Sequence, residues 1–178
     1  MYYSAIYESP VGELTLCSDG ESILGLWLEG QKYHGGTIPE TMVPGDVGVF
    51  GEAREWLDDY FAGKQPAISR LPLAPIGSEF RQIVWRILTE IPYGAVTTYG
   101  EIGKQVAREL DKDHMASLAV GGAVGHNPVS IIIPCHRVVG SDGSLTGYAG
   151  GLKKKIWLLE HEGLDMAKLY VPKKGTAL

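Results

Sequence analysis

The sequence predicts an α+β protein: a small N-terminal β-sheet with one helix, followed by a helical C-terminal domain. Three observations predict this order. Residues 2–8 and 12–17 roughly alternate apolar and polar side chains, a proline-rich stretch follows at 64–77, and apolar residues then recur at helical spacing. With 44% apolar and 21% charged residues, the 178-residue chain has a globular composition, which excludes a disordered protein. No apolar run approaches the ~20 residues of a membrane helix, and the first residues lack the pattern of a secretory signal.

The N-terminal part is predicted to contain three strands and a helix. Residues 2–8 and 12–17, joined by S-P-V-G, predict a β-hairpin, and Ile23–Leu28 predicts a third strand. The glycine- and proline-rich residues 30–48 are expected to be loop. Apolar residues at helical spacing then predict a helix that ends at Gly63: Phe50, Ala53, Leu57, Tyr60 and Phe61.

A linker and a change of charge divide the chain. Residues 64–77 contain three prolines and cannot form a regular element, so we interpret them as an interdomain linker. This predicts an N-terminal α/β domain at 1–75, linker included, and a C-terminal domain at 76–178. Residues 1–75 carry 4 Lys and Arg against 11 Asp and Glu, whereas 76–178 carry 12 against 10. A polyanionic partner is therefore expected at the second domain, although two unrelated solvated surfaces explain the charges as well.

The second domain is predicted to open with a helix and a helix-turn-helix. Apolar residues at helical spacing predict a helix stopped by Pro92: Phe80, Ile83, Val84, Ile87, Leu88 and Ile91. Thr98 and Glu101 have the T-x-x-E spacing of a capping box, which predicts a helix through about Glu109. After a charged break, Ser117–Gly125 predicts a second short helix built of small residues. Two helices joined by a short break are a helix-turn-helix candidate, although any αα-hairpin has the same pattern.

Glycines weaken the second of these two helices. Gly121, Gly122 and Gly125 each destabilise a helix by about 1 kcal/mol relative to alanine. Either another surface must come very close to this helix, or the helix packs tightly against a second one.

The rest of the chain centres on a cysteine followed by a histidine. Ile131–Ile133 is expected to be a buried extended run, and P-C-H-R follows it at Pro134–Arg137. A glycine-rich loop then leads to a last helix, ended by Gly163 and marked by three apolar residues: Leu152, Ile156 and Leu159.

Cys135 is a candidate nucleophile. A thiolate attacks and a thiol hardly does, so such a site needs a base or a positive neighbour. Adjacent residues on an extended chain point to opposite sides, so His136 can serve Cys135 only through a water or if the chain turns sharply, which Pro134 and Gly140 allow. A buried inert cysteine beside a surface histidine is the other interpretation. Cys17 is the only other cysteine, so no disulfide framework is expected and a reducing cytoplasm is the expected location.

The motifs around this cysteine form one pattern. Its centre is P-C-H-R-V at Pro134–Val138, and its flanking pieces are Ile91-Pro92-Tyr93-Gly94, Thr98-Tyr99, Asn127-Pro128, Gly147-Tyr148, Gly150-Gly151-Leu152 and Leu158–Gly163. The pattern resembles the O6-alkylguanine-DNA alkyltransferase family, whose members are methylated-DNA–protein-cysteine methyltransferases. The resemblance is strong over residues 76–163 and extends more loosely to the N-terminal domain through S-P-V-G.

The resemblance implies a winged-helix-like helix-turn-helix, a buried active-site cysteine and a DNA repair reaction. The damaged base, O6-alkylguanine and also O4-alkylthymine, would be flipped out of DNA into a pocket. Cys135 would accept the alkyl group, His136 would take the thiol proton through a water, and Glu162 would orient His136. Asn127 would brace the turn around the cysteine. Because the product is a thioether, the protein would act once.

The resemblance also implies the residues that contact the base. Tyr99 would donate its hydroxyl proton or a hydrogen bond to N3 of the flipped guanine, and Tyr148 with the following glycines would wall the alkyl pocket. The backbone near Cys135, Val138 and Ala149 would read the base edge. The other positions expected to contact substrate or DNA are Arg137 and Ser141.

The family meets the minor groove of duplex DNA with the second helix of its helix-turn-helix. The small residues Ala119, Gly121 and Gly122 would let that backbone approach. The family typically carries an arginine where Leu118 stands, and that arginine fills the gap left by the flipped base. Leucine can wedge, as apolar residues do in other minor-groove proteins, but it cannot neutralise phosphate; alternatively, Leu118 packs inward as ordinary core. The stretch from Arg108 to Ser117 is longer than usual in the family.

The expected partner is double-stranded DNA, bound by a cytoplasmic monomer without membrane contact. No cofactor and no metal are expected, because Cys17 and His34 are too few for the structural zinc that some relatives hold. Two other functions remain open. An alkyl-damage sensor with weak transfer is suggested by Leu118, and a thiol hydrolase that uses Cys135 and His136 would turn over repeatedly.

Overall fold

The computed structural model of the protein describes residues 1–173 and consists of two compact units. The first is made of residues 1–77 together with 128–132, and the second of residues 78–127 together with the described residues from 133 onward. The predicted C-terminal domain, 76–178, includes residues 174–178, which lie outside the described part. Within residues 1–173, no helix is long and apolar enough to cross a membrane.

The first unit contains a four-stranded sheet in the order β3-β2-β1-β4. Its strands are β1 (Tyr2–Ser9), β2 (Gly12–Ser18), β3 (Ile23–Leu28) and β4 (Met42–Pro44). The first three pair antiparallel, which confirms the predicted hairpin and third strand. Strand β4 pairs parallel with β1 inside the stretch predicted to be loop. Three residues are too few to show an alternating pattern, so this strand gave no signal in the sequence.

Helix α1 (Gly48–Phe61) belongs to the same unit and has the predicted apolar face. Phe50, Ala53 and Leu57 are fully buried. The helix ends as expected at Gly63, which has φ +83° and whose N–H bonds to the carbonyl of Tyr60. The stretch at 64–77, predicted to be an interdomain linker, belongs to the first unit, and the N–H of Ala74 donates to the carbonyl of Ile23 on β3 at 2.9 Å. Its helical element is a short 3₁₀ turn at Ile68–Arg70.

The second unit is built on helices α2 (Glu79–Leu88), α3 (Tyr99–Glu109), α4 (Ser117–Gly125) and α5 (Leu152–His161). Ser78 caps α2 by accepting a hydrogen bond from the N–H of Arg81. The helix ends at Leu88, before the predicted Ile91, because a residue that precedes proline is disfavoured in helical conformation. A two-stranded parallel pair, β5 (Thr97–Thr98) with β6 (Val138–Val139), completes the unit.

Helices α3 and α4 form the predicted helix-turn-helix. Thr98 caps α3 by accepting from the N–H of Glu101 at 3.2 Å. The carboxylate of Glu101 pairs with Lys104. Of the predicted capping box, the structure therefore shows the hydrogen bond from the N–H of Glu101 to the Thr98 hydroxyl. The buried indole of Trp85 on α2 donates to the carbonyl of Ala123 on α4 at 2.8 Å, which joins these two helices.

The predicted extended run at Ile131–Ile133 is wrong in conformation, although all three residues are buried. Ile131 has φ +70°, in the left-handed region that β-branched residues rarely adopt. The N–H of Ile132 bonds back to the carbonyl of Ser130 at 2.8 Å. The segment is therefore a series of tight turns, and its apolar side chains reflect burial rather than a strand.

Candidate active site

A sharp turn places Cys135. Pro134 has φ −82° and ψ 64°, the geometry of an inverse γ-turn, and the N–H of Cys135 donates to the carbonyl of Ile133 at 2.8 Å. A 3₁₀ turn over Cys135–Arg137 follows directly. The chain therefore turns sharply at the cysteine, which is one of the two possibilities that the sequence left for His136 to serve Cys135.

Glu162 is the acceptor at the centre of the site. Its Oε2 accepts from His136 Nε2 at 2.6 Å and from Arg137 Nη2 at 3.2 Å. Its Oε1 accepts from Arg137 Nε at 2.7 Å and from the N–H of Gly94 at 3.2 Å. The side chains of Glu162 and His136 are completely buried. The predicted pairing of Glu162 with His136 is thus present, together with an ion pair that the sequence did not reveal.

The charge state of this cluster follows from its hydrogen bonds. Burial alone raises the pKa of Glu162, but the hydrogen bonds from His136 and Arg137 outweigh it and hold the pKa well below its usual range. Burial lowers the pKa of His136, so its neutral form is favoured. Since an ionised carboxylate only accepts, Nε2 of the neutral ring must carry the hydrogen, and Nδ1 keeps a free lone pair. That Nδ1 is buried and has no hydrogen-bond partner in the described chain.

The I-P-Y-G motif, residues 91–94, contacts both Arg137 and Glu162. The carbonyl of Ile91 accepts from Arg137 Nη1 at 2.7 Å, and the Tyr93 ring lies 5.7 Å from the Arg137 guanidinium. Gly94 has φ +76°, and a Cβ there would lie 3.1 Å from the carbonyl oxygen of Glu162. The motif therefore serves to hold the Arg137–Glu162 pair, and its glycine is needed both for the turn and for the close approach.

The side chain of Arg137 has a different role from the one expected. The resemblance placed it among the residues that contact substrate or DNA, but its side chain is buried and its guanidinium is bonded to Glu162 and Ile91. A guanidinium in this position stabilises the carboxylate that holds His136. Its role in this structure is internal.

Cys135 itself is 6% exposed. Burial raises the pKa of its thiol, while a hydrogen bond from Asn127 and the charge of Lys155 act in the opposite direction. Asn127 also donates from Nδ2 to the carbonyl of Ile133 at 2.8 Å, so it braces both ends of the γ-turn. The net effect of the surroundings is a thiol at rest, which needs a base to become a nucleophile.

Lys155 is a functional candidate that the sequence analysis missed. It lies on α5, is fully buried, and donates from Nζ to the carbonyls of Val138 at 2.5 Å and Thr146 at 3.0 Å. Burial lowers its pKa to about 8. With Lys153 and Lys154 it forms a run of three lysines, a pattern that indicates an exposed basic start of a helix. The available signal was its place on the apolar side of α5, between Leu152 and Leu159.

Tyr99 lies at the start of α3, beside the loop that carries Tyr148. Its hydroxyl donates to the carbonyls of Thr146 at 2.9 Å and Gly147 at 3.2 Å. A Cβ at Gly147, where φ is +73°, would lie 2.7 Å from the Tyr99 oxygen, so only glycine permits this approach. Burial raises the pKa of Tyr99 well above its usual range. Tyr148 is 2% exposed and Ala149 is half-buried.

The expected DNA-contacting residues fall into two groups. Leu118 is 90% exposed, which rejects inward packing as core, and Ala119 beside it is also exposed. Ser141 is exposed on the loop after β6. Val138 is instead buried and pairs with Thr97 in the β5–β6 ladder, so only its backbone is placed to contact a base.

The glycines of α4 are not explained by packing. A Cβ built at Gly121, Gly122 or Gly125 would meet nothing within 4 Å. The helix packs on α2 and α3 through other residues, of which Val120, Ala123 and Val124 are buried. Tight helix–helix packing is therefore not the reason for these glycines.

Over residues 1–173, no cluster of three or more His, Cys, Asp and Glu side chains could hold a metal ion.

Two family models match the chain. One, described as 6-O-methylguanine DNA methyltransferase, ribonuclease-like domain, matches residues 1–75. The other, described as 6-O-methylguanine DNA methyltransferase, DNA binding domain, matches residues 79–164.

Individual relatives match over nearly the whole chain. The methylated-DNA–protein-cysteine methyltransferase of Haemophilus influenzae is 43% identical over 162 residues, which covers 91% of this chain and 86% of the relative. The Methanosarcina acetivorans protein of the same name is 44% identical and covers 92% and 99%. The crystal structure of Mycobacterium tuberculosis O6-methylguanine methyltransferase is 40% identical, with a TM-score of 0.76 over 91% of this chain and 93% of that one. Mycobacterium tuberculosis OGT in complex with DNA gives 40% identity and a TM-score of 0.76, over 90% and 91%.

Proposed function

The chain belongs to the 6-O-methylguanine DNA methyltransferase family, and from that membership we propose which of its residues transfer the alkyl group and how it meets DNA. Its function is DNA repair, as a methylated-DNA–protein-cysteine methyltransferase, and its partner is DNA. The observation that carries the assignment of residues is the buried Glu162–His136 hydrogen bond next to Cys135. We propose that residues 76–178 form the domain that binds DNA and accepts the alkyl group.

Cys135 is the acceptor. Its sulfur attacks the alkyl carbon on O6 of the flipped guanine, the carbon–oxygen bond breaks, and a carbon–sulfur bond forms. The electron pair of the broken bond stays on the guanine. No group in the site can displace an alkyl group from a thioether, so each protein molecule reacts once.

His136 is the base that generates the thiolate. Burial keeps both the Cys135 thiol and the His136 ring neutral at rest, so attack requires a proton transfer between them. The Glu162 carboxylate fixes hydrogen on Nε2 and leaves the Nδ1 lone pair as acceptor. We propose that a water carries the proton from Sγ to Nδ1, and that Lys155 favours the resulting thiolate by its positive charge.

Tyr99 assists the leaving group. The negative charge that develops on the guanine needs a hydrogen-bond donor. Because burial raises the pKa of Tyr99, we propose that its hydroxyl turns from the Thr146 carbonyl to N3 of the base as a hydrogen-bond donor and keeps its proton. Tyr148 and the backbone near Ala149 wall the pocket.

We propose that α4 enters the minor groove and that the protein acts as a monomer. The exposure of Leu118 and the open space beyond Gly121 and Gly122 support this placement. Leu118 stands at the first turn of α4, where an apolar side chain can occupy the gap left by the flipped base.

The assignment of Cys135 is tested by mass spectrometry. After incubation with a duplex that contains O6-methylguanine, the intact mass should rise by one methyl group, and peptide mapping should place that group on Cys135. Cys135→Ser should lose transfer and keep duplex binding, because a serine hydroxyl is much harder to ionise. Cys17→Ala is the control and should react normally, since Cys17 is fully buried in the other unit. A methyl group on Cys17, or more than one product molecule per protein, would reject the assignment.

A further inference from the structure

A cleft lies between α3 and the turn that leads to α4. Its volume is about 310 Å³. Four of the side chains that line it are basic: Lys104 and Arg108 from α3, and Lys112 and His114 from the turn. Among its lining residues, Asp113 is the only acidic one. All four side chains are exposed, and the two lysines and the arginine present positive charge to solvent.

Helix capping fixes the position of Lys112. The N–H of Lys112 donates to the carbonyl of Ala107 at 2.9 Å, and that of Asp111 donates to the carbonyl of Arg108 at 3.3 Å. With Asp111 at φ +51°, these bonds form a Schellman motif at the end of α3. The motif folds the longer turn back over its own helix. Lys112 is thereby held beside the last turn of α3, where Arg108 also lies.

Two neighbouring glutamates, Glu109 and Glu101, do not neutralise the cleft. Glu109 is paired with Arg86, away from the cleft lining. Glu101 pairs with Lys104 at 3.0 Å, but exposed pairs of this kind contribute little, so Lys104 can exchange its partner for a stronger anion.

The place of the cleft in the fold indicates which anion it meets. Tyr99 lines one side and Ser117, the residue before Leu118, lines another. Helix α4, S-L-A-V-G-G-A-V-G, contains no lysine or arginine. A nucleic acid strand at α4 therefore finds no cation on that helix, and the nearest positive charges along the chain are those of the turn.

We propose that this cleft binds a backbone phosphate of the DNA duplex. Arg108 and Lys112 are the principal phosphate ligands, and Lys104 and His114 are supporting ones. The contact supplies charge that α4 lacks and fixes the duplex next to the flipped nucleotide, since phosphate contacts set register and orientation. This inference rests on the proposed function, because it takes DNA at α4 as given.

The test compares two double variants in duplex binding at several salt concentrations, measured by fluorescence anisotropy with a labelled duplex. In Arg108→Gln with Lys112→Gln, the slope of log K against log salt should become shallower by about 1 for each side chain, about 2 in all. The control, Lys153→Gln with Lys168→Gln, removes the same charge from exposed positions of the same unit and should leave the slope unchanged. Asp113→Asn should tighten binding.

Two outcomes would overturn the inference. An unchanged slope in the Arg108 and Lys112 variant would overturn the inference, and an equal change in the control would assign the effect to net charge and overturn it as well. Transfer from free O6-benzylguanine to Cys135 should stay unchanged in both variants, which shows that they are folded. If the unaltered protein fails to react with that free base, the proposed function fails, and the salt slopes still report on the cleft separately.

Discussion

At the scale of single residues, the Glu162 carboxylate accepts at least four hydrogen bonds. Each of its oxygens accepts from two donors, which come from Gly94, His136 and Arg137. An ionised carboxylate only accepts, and it has about four acceptor sites for such donors. Only an anion satisfies this set, because an amide would have to present its own hydrogens to donors. The identity of residue 162 is thereby dictated by its surroundings.

Glu162→Gln should slow alkyl transfer far more than it weakens duplex binding. The amide orients His136 poorly and stabilises its cation less, and a proton-transfer step is commonly worth about 10²–10⁴ in rate. It also leaves Arg137 buried without a counter-ion, so the midpoint of thermal unfolding should fall. Rates are measured with O6-benzylguanine and affinity with duplex DNA.

The control for this substitution is Glu160→Gln, which removes a carboxylate from an exposed position at the end of α5, two residues before Glu162. Its rate and stability should match those of the unaltered protein. If Glu162→Gln instead lowered rate and affinity by the same factor, the residue would be a structural support and not part of the proton path.

Leu118→Arg should strengthen duplex binding. Because Leu118 is 90% exposed, the new guanidinium stays in solvent and the fold is kept. One added phosphate neutralisation steepens the slope of log K against log salt by about 0.9. The rate with free O6-benzylguanine should not change, since no base stack is involved. Leu118→Gln, which is polar and uncharged, should leave the slope as it is. A folded Leu118→Arg protein with unchanged affinity would show that α4 does not face DNA.

At the scale of elements, the proposed function explains why α4 contains glycines that lower its stability: they would let its backbone approach DNA. Its glycines weaken it, and a Cβ at Gly121 or Gly122 would touch nothing in the chain. Gly121→Ala and Gly122→Ala should therefore each raise the free energy of unfolding by about 0.5–1 kcal/mol. Both should weaken duplex binding, because the added methyl groups hold the backbone away from the groove, and both should react normally with the free base.

Gly51→Ala is the matched control for these substitutions. Gly51 is also a helical glycine whose Cβ would meet nothing, and it is exposed like Gly122, but it lies on α1 in the other unit. It should raise stability by a similar amount without changing duplex affinity. If the α4 variants bound duplex as tightly as this control, the helix would not be the surface that approaches DNA.

The sequence predicts the helices of the second unit better than it predicts the buried contacts around Cys135. The ends of α3 and α4 follow from local signals, the T-x-x-E spacing and a run of small residues, and the structure confirms both. The prediction of an extended run at Ile131–Ile133 was wrong because buried positions and strands favour the same apolar, β-branched residues. The internal roles of Arg137 and Lys155 depend on partners 25 and 17 residues away, and no local pattern records such a pairing.

At the scale of the whole molecule, the stability of the protein depends on pH through two buried groups of the second unit, His136 and Glu162. Burial lowers the pKa of His136, and hydrogen bonds lower that of Glu162. In the unfolded chain these groups bind protons near their ordinary pKa values of about 6.5 and 4.3. Over each interval between the unfolded and the folded pKa, the unfolded state therefore holds more protons, and stability decreases as the pH falls.

The midpoint of thermal unfolding should decrease in two steps. The first begins as the pH falls below about 6.5, where His136 of the unfolded chain becomes protonated, and the second begins below about 4.3, where Glu162 does. The alkyl transfer rate at fixed temperature should stay level through pH ~6.5, because the folded His136 is still neutral there. A stability that is constant from about pH 7 to about pH 5 would contradict the first step. In Glu162→Gln, the second step should be smaller.

Because the chain is synthesised from the N-terminus, the hydrogen bond between Glu162 and His136 can form only late in synthesis. Domains form from the N-terminus onward during synthesis, at about 5–20 residues per second. Cys135 and His136 precede Glu162, which is 26 residues beyond His136. Until the end of α5 has emerged and docked, Glu162 does not hold the imidazole of His136 or fix the position of its hydrogen. Base-assisted reactivity of Cys135 therefore arises only in a molecule whose second unit is complete.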